Sequence, residues 1–251
     1  IVQAVTTVSI LSGIFVYSIF FEGYLENVSY SSSSEILVHI APIGWALVIG
    51  SLIELVLAYR LPDTQIQSDV HFDIKKYYTG RYLKKNMKII TDSSIIFHSI
   101  IGLALFWSIS QVVLASFPAY SKESLEITNT ILVQGMMALA GIGIVIGSIT
   151  SGKVSKNYIE TGTIPVGALG ITVTLLLLPV MREPMLHGLN FFAFGFFAGL
   201  FIVPLNALVQ YNAKEHELGL IIAGNNFIQN VSMVAFLALT VVFAVFGIDS
   251  I

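Results

Sequence analysis

Apolar runs of about 20 residues recur along the 251-residue chain, and they constrain its fold more than any other feature. In lipid such runs must be helical, because a helix satisfies its own backbone hydrogen bonds. The strands of a barrel would instead alternate with a period of two. The composition agrees, since 55% of the residues are hydrophobic and only 11% are charged. The sequence therefore predicts an all-α, polytopic membrane bundle.

Seven membrane-spanning helices are predicted, and basic residues are unevenly distributed over the loops between them. Ten of the twelve Lys and Arg residues fall on alternate loops, whereas the remaining loops hold only Lys122 and Arg182. Because an excess of Lys and Arg marks cytoplasmic loops, the basic loops are predicted to be cytoplasmic. The predicted spans are residues 1–20, 36–59, 93–118, 130–151, 163–181, 187–210 and 219–247.

The first predicted span starts without an initiator Met or a basic region before its apolar run, which is not typical of a signal peptide. This start indicates a fragment cut within a helix. The span carries several polar residues, which either line an interior or pack against another helix. They are Gln3, Thr6, Thr7, Ser9 and Ser12.

Side-chain amides are the main polar feature of the later spans. Trp107 and Gln111 share one face of the third span at a spacing of four residues. Six further amides are candidates on the sixth and seventh spans, at Asn206, Gln210, Asn225, Asn226, Gln229 and Asn230. Amides in lipid either fix helix packing or hold a polar ligand, and the residues alone favour neither. Their position around one predicted cytoplasmic turn favours an inner gate over a head-group site.

Glycine pairs and a proline predict close helix packing. Gly143 and Gly147 on the fourth span, and Gly195 and Gly199 on the sixth, have the spacing that lets two helix backbones approach. Pro204 leaves a carbonyl without its helical donor and can bend the sixth span. The fifth span has few polar side chains and is interpreted as a peripheral, lipid-facing helix.

Two features near the second span have alternative interpretations. Glu54 is either a carboxylate at the membrane interface or a residue that couples transport to protons or cations. The linker 60–92 carries Ile74, Tyr77, Tyr78 and Tyr82 among basic residues, which predicts a short amphipathic helix on the inner membrane surface. Anionic lipid would attract its basic residues, so membrane lipid is a predicted partner. The alternative is that its charges only set the topology.

Motifs of catalysis and metal binding are missing from the sequence. It contains no phosphate-binding glycine loop, nucleophile elbow or zinc-protease motif. There are no cysteines, and the five histidines are scattered. We therefore expect no enzyme activity, no cofactor and no metal in this chain, and no nucleic-acid partner.

Three segments carry a resemblance to a known family. GLFIVPLNALVQYNAKEHELGLIIAGNNFIQNVSMV, FWSISQVVLASFPAYSKE and SGKVSKNYIETGTIPVGALG resemble the lysophospholipid transporter family of the major facilitator superfamily. They look most like the branch fused to acyltransferase and acyl-carrier-protein synthetase domains. One departure is that Leu114 stands where stand-alone members have an intramembrane arginine.

The resemblance implies that the seven spans are helices five to eleven of a twelve-helix transporter. Residues 1–60 would then end the N-terminal half, 61–92 would be the cytoplasmic linker, and 93–251 would form the C-terminal half without its last helix. It also implies a multi-pass protein of the bacterial inner membrane that moves lysophospholipid by alternating access. In this interpretation Phe194, Phe197 and Phe201 would form walls for the acyl chain.

Two other functions remain open. One is a general exporter of amphipathic compounds in the same superfamily. The other is the membrane anchor of a multidomain phospholipid acyltransferase, in which case the fused or associated acyltransferase would be a partner.

Overall fold

The computed structural model describes residues 33–60, 73–127, 129–156 and 158–246, with the single positions 13, 16, 19 and 20. The polar residues of the first predicted span lie outside the described residues. The α-helices of the described part are α1 (Ser33–Tyr59), α2 (Ile74–Tyr78), α3 (Arg81–Asp92), α4 (Ser94–Ser124), α5 (Thr130–Val154), α6 (Thr163–Leu177), α7 (Pro184–Asn212) and α8 (Leu218–Val245). A short 3-10 turn, Leu178–Val180, follows α6.

The structure confirms a helical membrane bundle. Five helices in the described part, α4 to α8, are long and apolar enough to cross a membrane, with the 3-10 turn included in the third of them. They coincide with the last five predicted spans. The main difference is that α4 continues to Ser124, six residues beyond the predicted end, because the helix extends through polar residues that hydropathy excludes. The predicted second span is the 27-residue helix α1.

Helix α7 is the centre of the bundle and contacts α4, α5 and α6. One buried cluster joins Leu103 and Phe106 on α4, Ile171 on α6, and Phe194 and Ile202 on α7. Lipid is as apolar as these side chains, so their contribution comes from close van der Waals contact more than from exclusion of water. Helix α8 packs on the other side of the bundle, against α4 and α3.

The contact between α5 and α7 depends on glycine. A Cβ atom added to Gly143 would overlap the carbonyl oxygen of Phe192, and one added to Gly195 would overlap that of Ala140. At Gly199 the added atom would lie 2.5 Å from the backbone nitrogen of Ser148. Gly147 meets the Phe196 carbonyl in the same way. Backbone therefore lies directly on backbone along this seam.

Helix α6 also uses glycine, on the face that contacts α7. A Cβ atom at Gly167 would lie 2.8 Å from the Phe197 carbonyl oxygen, and one at Gly170 would overlap the Phe197 ring. The opposite face carries the exposed side chains Val166, Leu169, Val173 and Leu176. The helix is peripheral on one side only, and its inner face fits the aromatic side chains of α7.

The linker forms two helices that differ in their packing. Ile74, Tyr77 and Tyr78 do not pack on the bundle, since they are 59%, 62% and 82% exposed, and their contact with the membrane surface stays a prediction. Gly80 adopts a left-handed conformation with φ of 67°, which separates α2 from α3. The side chains that pack on the bundle come from α3 instead, where Ile90 is buried.

Asp73 caps the first linker helix. Its Oδ1 accepts hydrogen bonds from the backbone N–H groups of Lys75, at 2.9 Å, and Lys76, at 3.4 Å. Desolvation raises the pKa of Asp73, but these two bonds and the Lys76 ammonium outweigh it, and the pKa is lowered. The carboxylate is thus charged where the helix dipole favours negative charge.

Candidate functional site

The amides of α8 divide into a buried pair and an exposed pair. Gln229 Nε2 donates a 2.7 Å hydrogen bond to Asn225 Oδ1, and Asn225 is 7% exposed. Asn226 and Asn230 lie on the exposed side of the same helix, where Asn230 Nδ2 donates to the Asn226 carbonyl at 2.8 Å. Gln229 and Asn225 therefore bond to each other through their side chains, whereas the exposed pair keeps its side-chain oxygens for water or a ligand.

The amides of α7 bond within their own helix. Asn206 Nδ2 donates to the Ile202 carbonyl at 3.1 Å, while Gln210 is exposed. Pro204 is fully buried and supplies no donor to the Leu200 carbonyl. Across the ranges described above, no hydrogen bond links an amide of α7 to one of α8. The two sets thus flank a common turn without forming one network.

The amides of α8 lie at different depths along the helix. Asn225 lies seven residues after Leu218, but Asn230 lies twelve residues after it in a 28-residue helix. At 1.5 Å per residue this is about 18 Å along the axis, close to the middle of the helix. Asn225 and Asn226 therefore lie nearer the basic end of α8 than Gln229 and Asn230, and the gate role of these residues stays a prediction.

The predicted pair on α4 is near the middle of its helix. The Trp107 ring packs edge-on against Phe106, with 5.2 Å between ring centroids, and contacts the central cluster. Gln111 is half-buried and has no side-chain hydrogen bond to another described residue. Leu114, three residues further on, is 45% exposed. This face of α4 is accessible and supplies one amide.

A groove of about 510 Å³ lies elsewhere, between α4, α6 and α7 near the basic end of the bundle. Nine residues separate His98, which lines the groove, from Trp107, so the two lie on opposite faces of α4. None of the eight residues predicted to bind substrate or form a gate lines it. Its walls are Ser94, Ile95, His98, Ser99, Gly102, Thr161, Ile164, Phe201, Leu205 and Leu208.

The three phenylalanines expected to contact an acyl chain have other neighbours. Phe194 is buried and stacks on Phe106 of α4, with 6.1 Å between centroids. Phe197 fills the space beside Gly170 on α6. Phe201 borders the groove and also packs toward Phe106. Phe194 and Phe197 are therefore packing residues, because they face neighbouring helices rather than the side of Asn226.

Comparison with known proteins identifies the family. The family model described as Major Facilitator Superfamily matches residues 5–237. The chain belongs to the Major Facilitator Superfamily. No solved structure gives a significant match.

Among curated proteins of the superfamily, the chain is similar to lysophospholipid transporters. It is 30% identical over 145 residues to "Lysophospholipid transporter LplT" of Klebsiella pneumoniae subsp. pneumoniae, covering 56% of this chain and 36% of that protein. It is 28% identical over 151 residues to the protein of the same name from Escherichia coli K12 / DH10B, covering 60% and 38%. The match therefore spans little more than a third of the length of these relatives.

Two buried polar residues of this superfamily member are not singled out by its sequence pattern. Asn190 Nδ2 donates a 2.9 Å hydrogen bond to the Thr174 carbonyl on α6. His187 is fully buried beside Phe117, with 5.8 Å between ring centroids. Its Nδ1 lies 3.1 Å from the Glu183 carbonyl, and its Nε2 has no partner among the described residues. The sequence signal that could have identified them is a polar side chain within an apolar helix, since His187 and Asn190 lie three and six residues after the first residue of α7.

Glu54 lies on the exposed surface of α1. It forms no ion pair with another described residue, and its role as a coupling residue stays a prediction. A search of the described residues finds no group of three or more His, Cys, Asp or Glu that could hold a metal ion.

Proposed function

We propose that this chain is part of a transporter that moves lysophospholipid, such as 2-acyl-glycerophosphoethanolamine, across the bacterial inner membrane by alternating access. Membership of the Major Facilitator Superfamily supports transport, and similarity to proteins named lysophospholipid transporter supports the cargo. The observation that carries the proposal is the exposed Asn226 and Asn230 pair on a helix long and apolar enough to cross a membrane.

A single-chain phospholipid is chemically complementary to this surface. Its head group offers phosphate oxygens and donors to the side-chain amides, and its acyl chain suits the apolar residues between them. Asn226 lies eight residues from the start of α8 and Asn230 lies twelve, so a head group that moved along α8 would meet both in turn. Gate and head-group roles are therefore compatible in one pathway.

The proposed test is lysophosphatidylethanolamine uptake into spheroplasts by the full-length protein carrying Asn226→Ala and Asn230→Ala. We expect uptake to fall several-fold, since each lost amide bond costs about 0.6–2 kcal/mol in a membrane. Asn212→Ala is the matched control, because that amide bonds to the Leu208 carbonyl of its own helix. Unchanged uptake by a correctly folded double variant would exclude these amides as ligands.

Glu54 is the proposed coupling residue. If it carries the proton, Glu54→Gln abolishes the pH dependence of uptake, because the amide cannot titrate. Retention of the wild-type pH profile would assign Glu54 to the interface instead.

The surrounding helices and partners are also proposals. Residues 93–251 would belong to the C-terminal half of the transporter, and 61–92 would join the halves. Reacylation of the cargo would belong to an acyltransferase, fused or associated, and this chain would carry out no chemistry itself. Competition between lysophospholipid and an amphipathic drug for uptake distinguishes this cargo from that of a general exporter.

A further inference from the structure

The two linker helices present a surface that neither the bundle nor the proposed transport pathway uses. Between Asp73 and Ser93 the sequence has six basic and two acidic residues, a net charge of +4. One of the acids, Asp73, is already paired with Lys76 at 3.5 Å. The helices therefore carry a concentrated positive charge with little internal neutralisation.

The docking of α3 on the bundle fixes where this charge lies. Ile90, 1% exposed, packs in a cluster with Ile96 and Ile100 of α4, Val209 of α7 and Ile221 of α8. A Cβ atom at Gly224 would lie 2.5 Å from Ile90 Cδ1 and 3.5 Å from Met87 Cε. Glycine at this position thus makes room for α3 directly against α8.

The depth of that contact corresponds to the lipid head groups. Gly224 lies six residues after Leu218, about 9 Å along α8. The 28 residues of α8 span about 42 Å, which matches a bilayer including both head-group layers. The first turns of α8 therefore cross the head-group layer, and α3 lies beside them.

The exposed side of α3 is basic. Arg81, Lys84, Lys85 and Lys88 follow the spacing of one helix face, and all four are exposed. Arg81 and Ile90 are nine residues apart, so this face points away from the bundle. With the apolar face of α3 already packed on protein, the basic face is the one left for a partner.

Helix α2 adds exposed apolar and aromatic side chains beside this charge. Ile74, Tyr77 and Tyr78 are all more than half exposed, and the two tyrosine rings meet edge-on with 5.8 Å between centroids. Tyrosine is enriched at membrane interfaces, where its ring is partly buried and its hydroxyl stays in water. Aromatic side chains next to lysines at this depth fit a lipid surface better than bulk water.

We propose that α2 and α3 form a docking surface for anionic phospholipid head groups. The basic face of α3 attracts the phosphates, and Ile74, Tyr77 and Tyr78 insert at the interface. The Asp73 N–H donates a 3.0 Å hydrogen bond to the Tyr82 hydroxyl, which holds the start of α2 beside α3. This inference does not depend on which cargo the protein carries.

The test uses the absence of cysteine from this sequence. In the full-length protein, freed of any other cysteine, Thr79→Cys gives a single exposed attachment point for a fluorophore between the two helices. The labelled protein is reconstituted in vesicles of phosphatidylcholine that contain either spin-labelled phosphatidylglycerol or spin-labelled phosphatidylcholine. The ratio of quenching by the two lipids measures the local preference for anionic lipid. A label at Glu215→Cys, exposed on the loop before α8, serves as the positional control.

We expect phosphatidylglycerol to quench the Thr79 label more strongly. A basic residue near the surface contributes about fivefold to lipid preference, so the triple variant Lys84→Gln, Lys85→Gln, Lys88→Gln should abolish the difference. About 1 M salt should also abolish it, because the screening length falls to about 3 Å. The control variant Lys153→Gln, Lys156→Gln, on another basic loop, should retain it.

Two results would overturn the proposal. One is equal quenching by the two lipids in the wild-type chain, with the label accessible to aqueous iodide, which would show a solvated face. The other is a preference that survives the triple substitution. Since the three lysines are exposed, an unchanged unfolding temperature of the triple variant establishes that α3 remains docked.

Discussion

Asn190 on α7 donates a hydrogen bond to the carbonyl oxygen of Thr174 on α6, and this bond compensates for a change in helix geometry. At the end of α6 the Leu178 N–H bonds to the Leu175 carbonyl, three residues back, as the chain tightens before Pro179. This leaves the Thr174 carbonyl without its usual backbone donor, and the buried amide of Asn190 supplies one at 2.9 Å.

Replacing Asn190 with Leu should lower the free energy of unfolding by about 1–3 kcal/mol, because a buried carbonyl would lose its partner. Asn212→Leu is the matched control, since its amide bonds only to a carbonyl of its own helix. The measurement is equilibrium unfolding in detergent or bicelles. Equal effects of the two substitutions would contradict an interhelical role for Asn190.

Gly195→Ala should prevent the close contact of α5 and α7 and leave little folded protein. The added methyl group would overlap the Ala140 carbonyl, and backbone cannot move aside without separating the helices. Gly135→Ala is the matched control, because Gly135 lies on α5, the other helix of this contact, but faces open space. It should be neutral or stabilising by up to about 1 kcal/mol, since alanine has the higher helix propensity. Folded yield and unfolding temperature measure both. A well-folded Gly195→Ala variant would rule out the tight seam.

Ile90→Ala should release the linker from the bundle. Truncating a buried isoleucine costs about 2–5 kcal/mol, and here the loss falls on the contacts that α3 makes with α4, α7 and α8. Trypsin should then cleave the lysines of α3 faster than in the wild-type protein. Leu169→Ala, at an exposed position on α6, is expected to leave the cleavage rate unchanged. Equal rates for both variants would mean that Ile90 does not hold the linker.

Single cysteines can establish whether the exposed amide pair faces water. Asn226→Cys and Asn230→Cys should react with a charged maleimide in reconstituted protein, because the reactive thiolate forms only in contact with water. Ile221→Cys, 1% exposed in the wild-type side chain, should remain unlabelled. Protection by added lysophospholipid would connect the same face to the cargo. Unreactive cysteines at both positions would place the amides against lipid or protein.

The helices were predictable because hydropathy depends on sequence alone. Helix α5 begins at the predicted residue 130, and the glycine spacing of α5 and α7 already indicates two faces capable of close approach. The same periodicity cannot say which helices meet. Gly167 and Gly170 lack the simple four-residue spacing, so the contact of α6 with α7 was not predicted.

The candidate site was less predictable than the fold. The eight predicted residues are all polar or aromatic residues in apolar helices, but only the packing of α8 against α3 and α4 makes Asn225 buried and leaves Asn226 exposed. A phenylalanine can line a cavity or pack against a helix, and the sequence does not distinguish the two. Contact with Phe106 shows that Phe194 is a packing residue, and contact with Gly170 shows the same for Phe197. Ile90 was missed because the linker's more numerous tyrosines suggested a different face.

The central position of α7 has a consequence for biogenesis. In the described residues α5 and α6 each meet α7 more extensively than they meet each other. Both leave the ribosome before α7, so during synthesis their glycine faces have no backbone to contact. Helices α5 and α6 must therefore remain unpacked in the bilayer, or beside the insertion machinery, until α7 has been synthesised and inserted. A premature stop before α7 would therefore leave two inserted helices for quality-control proteases to recognise.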